Sequence, residues 1–351
     1  MSNTRIQDVA AHAGVSLATI TRVVNNREHV APETRERVRQ SIKTLGYVPN
    51  RMAKALKSSR TGIIGNVMPL VIGSFVNTKI SRSLRDAAAP YDLQILPMYA
   101  EPDPGREENL LRELIGRMVE GIIFTNSVAA SRDMIKEVIS NNIPVIMVER
   151  PMSIGGVDKV EWDNIAGSRH AAEHFIRYGH SILGFMGRMF GPEPDEQERF
   201  DGFRSCLGGS GITLDTRHIQ MTEEYTVECG YNAMKRIVEQ KTRPTGCYIT
   251  SDTLLSGALQ YLYESGLKVP RDLSIVSHDD TFSAMCSPPI TTIAIPFDEL
   301  GKTAVSMFWE RREKNRRFDK SVKISPYLID RGSVLDLSGI DRLSLNKRMR
   351  A

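Results

Sequence analysis

Apolar positions in the first 45 residues recur at helical spacing. Ile6, Val9, Ala10 and Ala13 follow i, i+3, i+4, i+7 and predict one short amphipathic helix. Gly14 suits the left-handed cap that ends it, and Ser16 suits the N-cap of a second helix. In that second helix Ile20, Val23 and Val24 face inward, leaving Leu17, Ala18, Thr21, Arg22 and Asn25 on the opposite side. A third helix opens with Pro32 at its first position and Glu33 in its first turn. Val38, Ile42 and Leu45 form its stripe, and Gly46 ends it. Pro49 then breaks the pattern, and Asn50 suits the cap of a short helix from Arg51 to about Lys57. Two turns are too few to hold alone in water, so this fourth helix is expected to form only against a partner.

From Thr61 onward short apolar runs alternate with helix-length segments. The runs are 63–68, 93–99, 120–125, 144–149, 159–162, 182–187, 246–250 and 273–277, with helices expected at 166–178, 227–240 and 252–265. Such alternation predicts parallel sheets covered on both faces, and the strand number suggests two doubly wound lobes rather than one sheet. Ligands in such sheets sit beyond the carboxyl ends of strands. The residues there are Pro69 and Leu70, Asn126 and Ser127, Glu149 and Arg150, Asp163 and Asn164, Asp252, and Asp279 with Asp280. Their polarity suits a hydroxyl-rich or charged small molecule. Structural alternatives stand beside each. Asp163 and Asp252 also suit helix caps, Arg199 suits a pair with Asp195 or Glu196, and Asp279 and Asp280 suit a turn. Trp162 and Trp309 read as core, and His180 as structural.

Charge sharpens this picture. Residues 1–60 hold 11 Lys and Arg against 4 Asp and Glu, an excess of seven. With +4 overall, the rest of the chain carries a net −3. A basic segment on a mildly acidic body points to a polyanionic partner. A second helix with a small, polar and cationic outer face fits the major groove of B-DNA. Arg22 can pair with guanine, Asn25 can reach base edges or backbone, and Leu17 and Ala18 offer apolar contact to a thymine methyl. Ser16 and Thr19 are placed for phosphates. Leu56, beside Ala53, Arg51, Lys54 and Lys57, suits either an apolar wedge for the minor groove or an incidental linker residue.

Composition excludes other classes. No apolar stretch of 18 residues occurs, and the N-terminus MSNTRIQDVAAHAG lacks a signal-peptide core, so a cytoplasmic protein with no membrane contact is expected. The cysteines, at 206, 229, 247 and 286, form no C-x-x-C pair and read as reduced. No G-x-S-x-G, Walker, G-x-G-x-x-G or H-E-x-x-H motif is present, so neither catalysis nor a cofactor or metal is expected. The tail from Ser338 lacks leucine heptads, which argues against a tetramerising bundle. It is expected to be a mobile basic segment.

The segment IQDVAAHAGVSLATITRVVNNREHVAPETRERVRQSIKTLGYVPNRMAKALKSSRTGIIG resembles the DNA-binding head and hinge of LacI-type (lactose/galactose repressor) regulators, through all three helices and the YVPN-R-x-A-x-x-L hinge. Further matches to the family's periplasmic-binding-protein-like effector domain are EWDN (161–164), GH (179–180), ERFDGF (198–203), TSDTLLSGAL (250–259), VPRDLSIVSHDD (269–280), PPITTI (288–293) and LIDRGSV (328–334). The resemblance implies a fold of class α plus α/β. A three-helix head occupies 1–48, a hinge 49–60, a two-lobed effector and dimerisation domain 61–337, and a tail 338–351. It implies operator reading by Leu17, Ala18 and Arg22, with Leu56 of each subunit in the central minor groove. Arg199, Asp252 and Asp279 are implied to hydrogen-bond an effector. Asn126, Arg150 and Asp163 are further candidates, and Tyr225 and Phe297 are candidates to stack on a ring. The implied function is allosteric transcriptional regulation, with repression expected. Its partners would be near-palindromic double-stranded DNA, a sugar or sugar-acid effector, and a second copy of the chain. The competing reading is a small-molecule-binding protein of the same fold without gene regulation. Three departures are visible. Ala31 stands where a cap residue is usual, GSFVNT (73–78) replaces an N-P-F-F-type run, and SHDD (277–280) replaces G-F-D-D.

Overall fold

The computed structural model describes residues 4–24, 29–48, 60–69, 75–101, 104–126, 132–149, 152, 154–190 and 194–339. They fall into two compact units, divided after Gly62.

Among its described residues the first unit holds three helices: α1 (Ile6–Ala13), α2 (Leu17–Val24) and α3 (Pro32–Thr44). Val9, Ala10, Ala13, Ile20, Val23 and Val38 form its core, flanked by Ile6, Val24, Ile42 and Leu45. Gly14 closes α1 at φ 63°, a conformation that costs a residue with a Cβ, and its N–H bonds back to the end of the helix. Ala31 precedes α3 and makes no side-chain cap bond. Polar ties that the apolar pattern did not reveal pin α3. His12 Nδ1 lies 3.0 Å from Ser41 Oγ, and Thr4 Oγ1 donates to Leu45 O at 3.1 Å.

The second unit contains two six-stranded sheets. In the first lobe, β1 (Ile63–Pro69), β2 (Gln94–Ala100), β3 (Gly121–Thr125), β4 (Val145–Val148), β5 (Val157–Trp162) and β11 (Ser321–Ile324) lie in the order β11-β5-β4-β3-β1-β2. All are parallel. In the second lobe, β6 (Leu183–Arg188), β7 (Ile219–Thr222), β8 (Gly246–Ile249), β9 (Ser274–Asp279), β10 (Thr291–Ala294) and β12 (Tyr327–Ile329) lie in the order β12-β10-β9-β8-β6-β7. Only β12 runs antiparallel to its neighbour.

Helices α4 (Phe75–Ala88), α5 (Pro104–Gly116), α6 (Arg132–Ser140) and α11 (Phe297–Glu313) belong to the first lobe. Helices α7 (Asn164–Arg177), α8 (Asp195–Gly209), α9 (Val227–Val238) and α10 (Asp252–Glu264) belong to the second. Parallel strands covered on both faces need apolar side chains on both sides, and β3, β4 and β8 are buried throughout. α4 and α11 cover one face of the first sheet through Ile80, Leu84, Leu300, Ala304 and Phe308.

The chain crosses between lobes three times, at 162–164, 294–297 and 324–327. The first and third crossings touch, with Asp163 N–H donating to Ile324 O at 2.9 Å. β7, β10, β11 and β12 were absent from the sequence expectation, as was the return of α11 to the first lobe. The other strands lie where the apolar runs placed them, within a residue or two at each end.

Candidate DNA-reading surface and effector cleft

In the first unit, Ser16 caps α2 by accepting the Thr19 N–H at 3.2 Å, and the two hydroxyls lie 3.0 Å apart. Thr21 Oγ1 donates to Leu17 O at 2.9 Å, which turns its methyl away from that carbonyl. With Ile20 and Val23 buried, the helix exposes Leu17, Ala18, Thr21 and Arg22 together. Leu17 is 45% exposed and stands beside Ala18 on this open face. α2 carries no acidic residue in its first turn and has Arg22 in its last, so its open face has nothing to repel phosphate. Asn25, Asn50, Arg51, Ala53 and Leu56 lie outside the described residues, as do Arg150 and the tail from residue 340.

In the second unit, polar groups gather at the carboxyl ends of the strands. On the second lobe the centre is Arg199, in the second turn of α8 and buried. Its Nε donates to Asn164 Oδ1 at 3.0 Å and its Nη1 to Thr250 O at 3.2 Å. Nη1 also lies 3.6 Å from Glu196 Oε2 and 3.5 Å from Tyr225 Oη. Tyr225 donates its hydroxyl to Glu196 and lies under the Arg188 guanidinium. Gly187 makes room for this carboxylate, because a Cβ there would stand 2.0 Å from Glu196 Oε1. Burial raises the Glu196 carboxyl above its ordinary range, against the pull of Arg199. Burial also pushes Asp279 up to about 7, with Arg199 again opposing. His278, the departure within SHDD, is fully buried with Nδ1 2.7 Å from Tyr248 Oη, and burial holds its imidazole neutral.

The first lobe contributes a second wall. Asn66 is buried in β1 and accepts Thr125 Oγ1 at 2.8 Å. Asn126, at φ 48°, donates Nδ2 to Asn77 Oδ1 at 3.3 Å. Glu149, at φ 52°, accepts the Trp162 N–H, and burial raises its carboxyl well above the usual range.

The structure therefore brings Arg199, Tyr225 and Asp279 together, with Asn126 on the facing lobe. Three other candidates make internal contacts of their own. Asp252 is 1% exposed, and its carboxylate accepts Ser277 Oγ, Thr281 N and Oγ1, Phe282 N and Ser283 Oγ. It therefore shapes the turn after β9, and the cap of α10 is Ser251. Asp163 caps α7 through the Ala166 N–H at 2.9 Å. Phe297 starts α11 with its ring edge-on to Trp162, 5.8 Å between centroids, so little of it is free to stack. Asn66 and Glu196 are polar residues of the cleft beyond the candidates that the sequence offers, while Asn77 and His278 lie within the departing runs GSFVNT and SHDD. Asn66 had a signal, the one polar residue within an apolar run. Glu196 was visible only as a partner for Arg199. Among the described residues no group of three or more His, Cys, Asp or Glu is placed to hold a metal ion.

The family model for bacterial regulatory proteins of the lacI family matches residues 5–50, and the periplasmic binding protein-like domain matches 172–334. The HTH-type transcriptional regulator DegA of Bacillus subtilis is 30% identical over 339 residues, covering 95% of this chain and 99% of the relative. The chain belongs to the LacI family of bacterial regulatory proteins. The ribose operon repressor of Escherichia coli is 25% identical over 331 residues, covering 93% of this chain and 99% of that one. A solved complex of the transcriptional regulator CelR with cellobiose superposes with a TM-score of 0.69 at 25% identity, covering 94% of this chain and 100% of that one. This LacI-family protein is thus a DNA-binding transcriptional regulator with a two-lobed domain, and no helix among its described residues is long and apolar enough to cross a membrane.

Proposed function

We propose that this LacI-family regulator acts as a homodimeric repressor, one α2 helix in each half of a near-palindromic operator, and that a hydroxyl-rich small molecule bound between the lobes controls its operator affinity. The exposed Leu17, Ala18, Thr21 and Arg22 face of α2 carries the first half of this reading. The grouping of Arg199, Tyr225, Asp279 and Asn126 at strand ends carries the second. A buried arginine already bonded to three neighbours, beside carboxyls that burial inclines to keep their protons, offers donors and acceptors without free positive charge. That favours a neutral sugar over a sugar acid. The complex of a related regulator with cellobiose and the name of the ribose operon repressor support the same class. The effector acts only through its different affinity for the two lobe arrangements.

Fluorescence anisotropy against pooled near-palindromic duplexes, at fixed salt, tests both halves. Selective binding shifted at least tenfold by a neutral mono- or disaccharide is the expected result. Equal binding to scrambled duplexes would refute operator recognition. A response to sugar acids alone would refute the neutral-ligand reading.

A further inference from the structure

The turn after β9 reaches across to the other lobe. Asp279 and Asp280 both have positive φ, 85° and 56°, a strained pair that the buried Asp252 carboxylate holds by binding residues 281–283. Arg331 takes the Asp280 carboxylate at 2.8 Å, leaving the backbone carbonyl of Asp280 to another donor. Onto that carbonyl the Lys79 ammonium of α4 donates at 2.6 Å, and the same ammonium stands 5.4 Å over the Phe297 ring. One turn of α4 earlier, Phe75 meets Phe282 with centroids 5.9 Å apart. Lys79 also borders a cavity of about 660 Å³ that Asp280, Asp298, Glu299, Arg82 and Lys302 help to line, which leaves the ammonium room to move.

We propose that Lys79 is a positioning residue that couples the 279–283 turn of the second lobe to α4 of the first. Asp279 sits one peptide from the carbonyl that Lys79 grips. A change at Asp279 therefore reaches α4 through a charge-assisted hydrogen bond, with the Phe75–Phe282 contact beside it, without passing through the three crossings. The ammonium is held at two points, by the Asp280 carbonyl of the second lobe and over the Phe297 ring at the start of α11, so a shift of the turn is felt directly at α4. This proposal is independent of operator and effector identity.

Hydrogen exchange on the ligand-free full-length protein tests it. Lys79→Met keeps the stem over Phe297 and removes the donor. It is expected to speed exchange at least threefold in residues 75–82 and 281–283, while Lys79→Arg stays within twofold of wild type. Ser283→Ala loosens the turn mildly, and Asp252→Asn does so more strongly. Either is expected to speed exchange in 75–82 when Lys79 is present and to add less there in the Lys79→Met background, where only the Phe75–Phe282 contact still joins turn and helix. Unchanged exchange in 75–82 with Lys79→Met would overturn the proposal. So would an equal effect of Ser283→Ala on 75–82 in both backgrounds. Exchange in strand 246–249 reports whether each variant remains folded, and Ser283→Ala keeps the cycle available if Asp252→Asn does not.

Discussion

Removing the Asp252 carboxylate is expected to destabilise the second unit by a predictable amount. In Asp252→Ala five donors lose their acceptor: the hydroxyls of Ser277, Thr281 and Ser283, and the backbone N–H groups of Thr281 and Phe282. Hydroxyls can rotate toward other acceptors, so their loss is small. The two amides cannot rotate. Each buried donor left without a partner costs about 1–3 kcal/mol. Residues 281 and 282 are only half-buried, so water can reach part of the gap. The expected loss is therefore about 2–4 kcal/mol, below the sum for dry amides. Urea unfolding of the full-length chain followed by far-UV circular dichroism measures it. Asp252→Asn, which keeps one acceptor oxygen, should fall between wild type and alanine. A loss under about 1 kcal/mol for alanine would show that solvent replaces the carboxylate freely, and the turn would not be held as argued.

Other expectations follow from the two surfaces. Arg22→Ala should weaken operator binding by about 1–3 kcal/mol while changing affinity for random DNA much less, read by anisotropy on matched and scrambled duplexes. Ser16→Ala should destabilise the first unit by about 0.5–2 kcal/mol through loss of the α2 cap, visible as a lower melting temperature with the second unit unchanged. Asp279 titrates near 7 in the folded chain against 3.8 for a free carboxyl, so its contribution to stability is complete below about pH 4 and is lost as pH rises toward and through 7. Asp279→Asn should accordingly remove part of the fall in melting temperature between pH 5 and pH 8, and an identical fall in both proteins would contradict the burial argument. Gly187→Ala should displace the Glu196 carboxylate and with it Tyr225, weakening effector binding at least tenfold by calorimetry with the sugar that the binding panel identifies.

The helical head was legible because a three-helix core of this size depends on a few apolar positions at helical spacing, and Val9, Ala13, Ile20, Val23 and Val38 are those positions. Strands buried on both faces were legible for a similar reason, since β3, β4 and β8 are runs of apolar residues. The strands that escaped notice break that rule. β7 and β12 lie at sheet edges and are partly exposed, β11 alternates exposed and covered residues, and β10 buries Thr291 and Thr292. Asp252 illustrates the limit for sites. Nothing within its own helix distinguishes a ligand contact from an internal tie, because its donors lie 25 to 31 residues further along. Asp163 and Arg199 carried both readings, and for each the structure shows the internal bond directly.

The three crossings also set an order of assembly. The first sheet receives its edge strand β11 from residues 321–324, and the apolar face over Ile64, Ile123 and Ile146 is covered by α11 from residues 297–313. During synthesis the first lobe is therefore translated early, yet this face is covered by α4 alone until the second lobe's first five strands have been made. Neither lobe corresponds to a continuous stretch of the gene. A truncation before residue 297 would leave that sheet face covered by α4 alone rather than a smaller working domain, and a chain folding from its N-terminus must carry the remaining exposed surface from the completion of β4 until α11 is made.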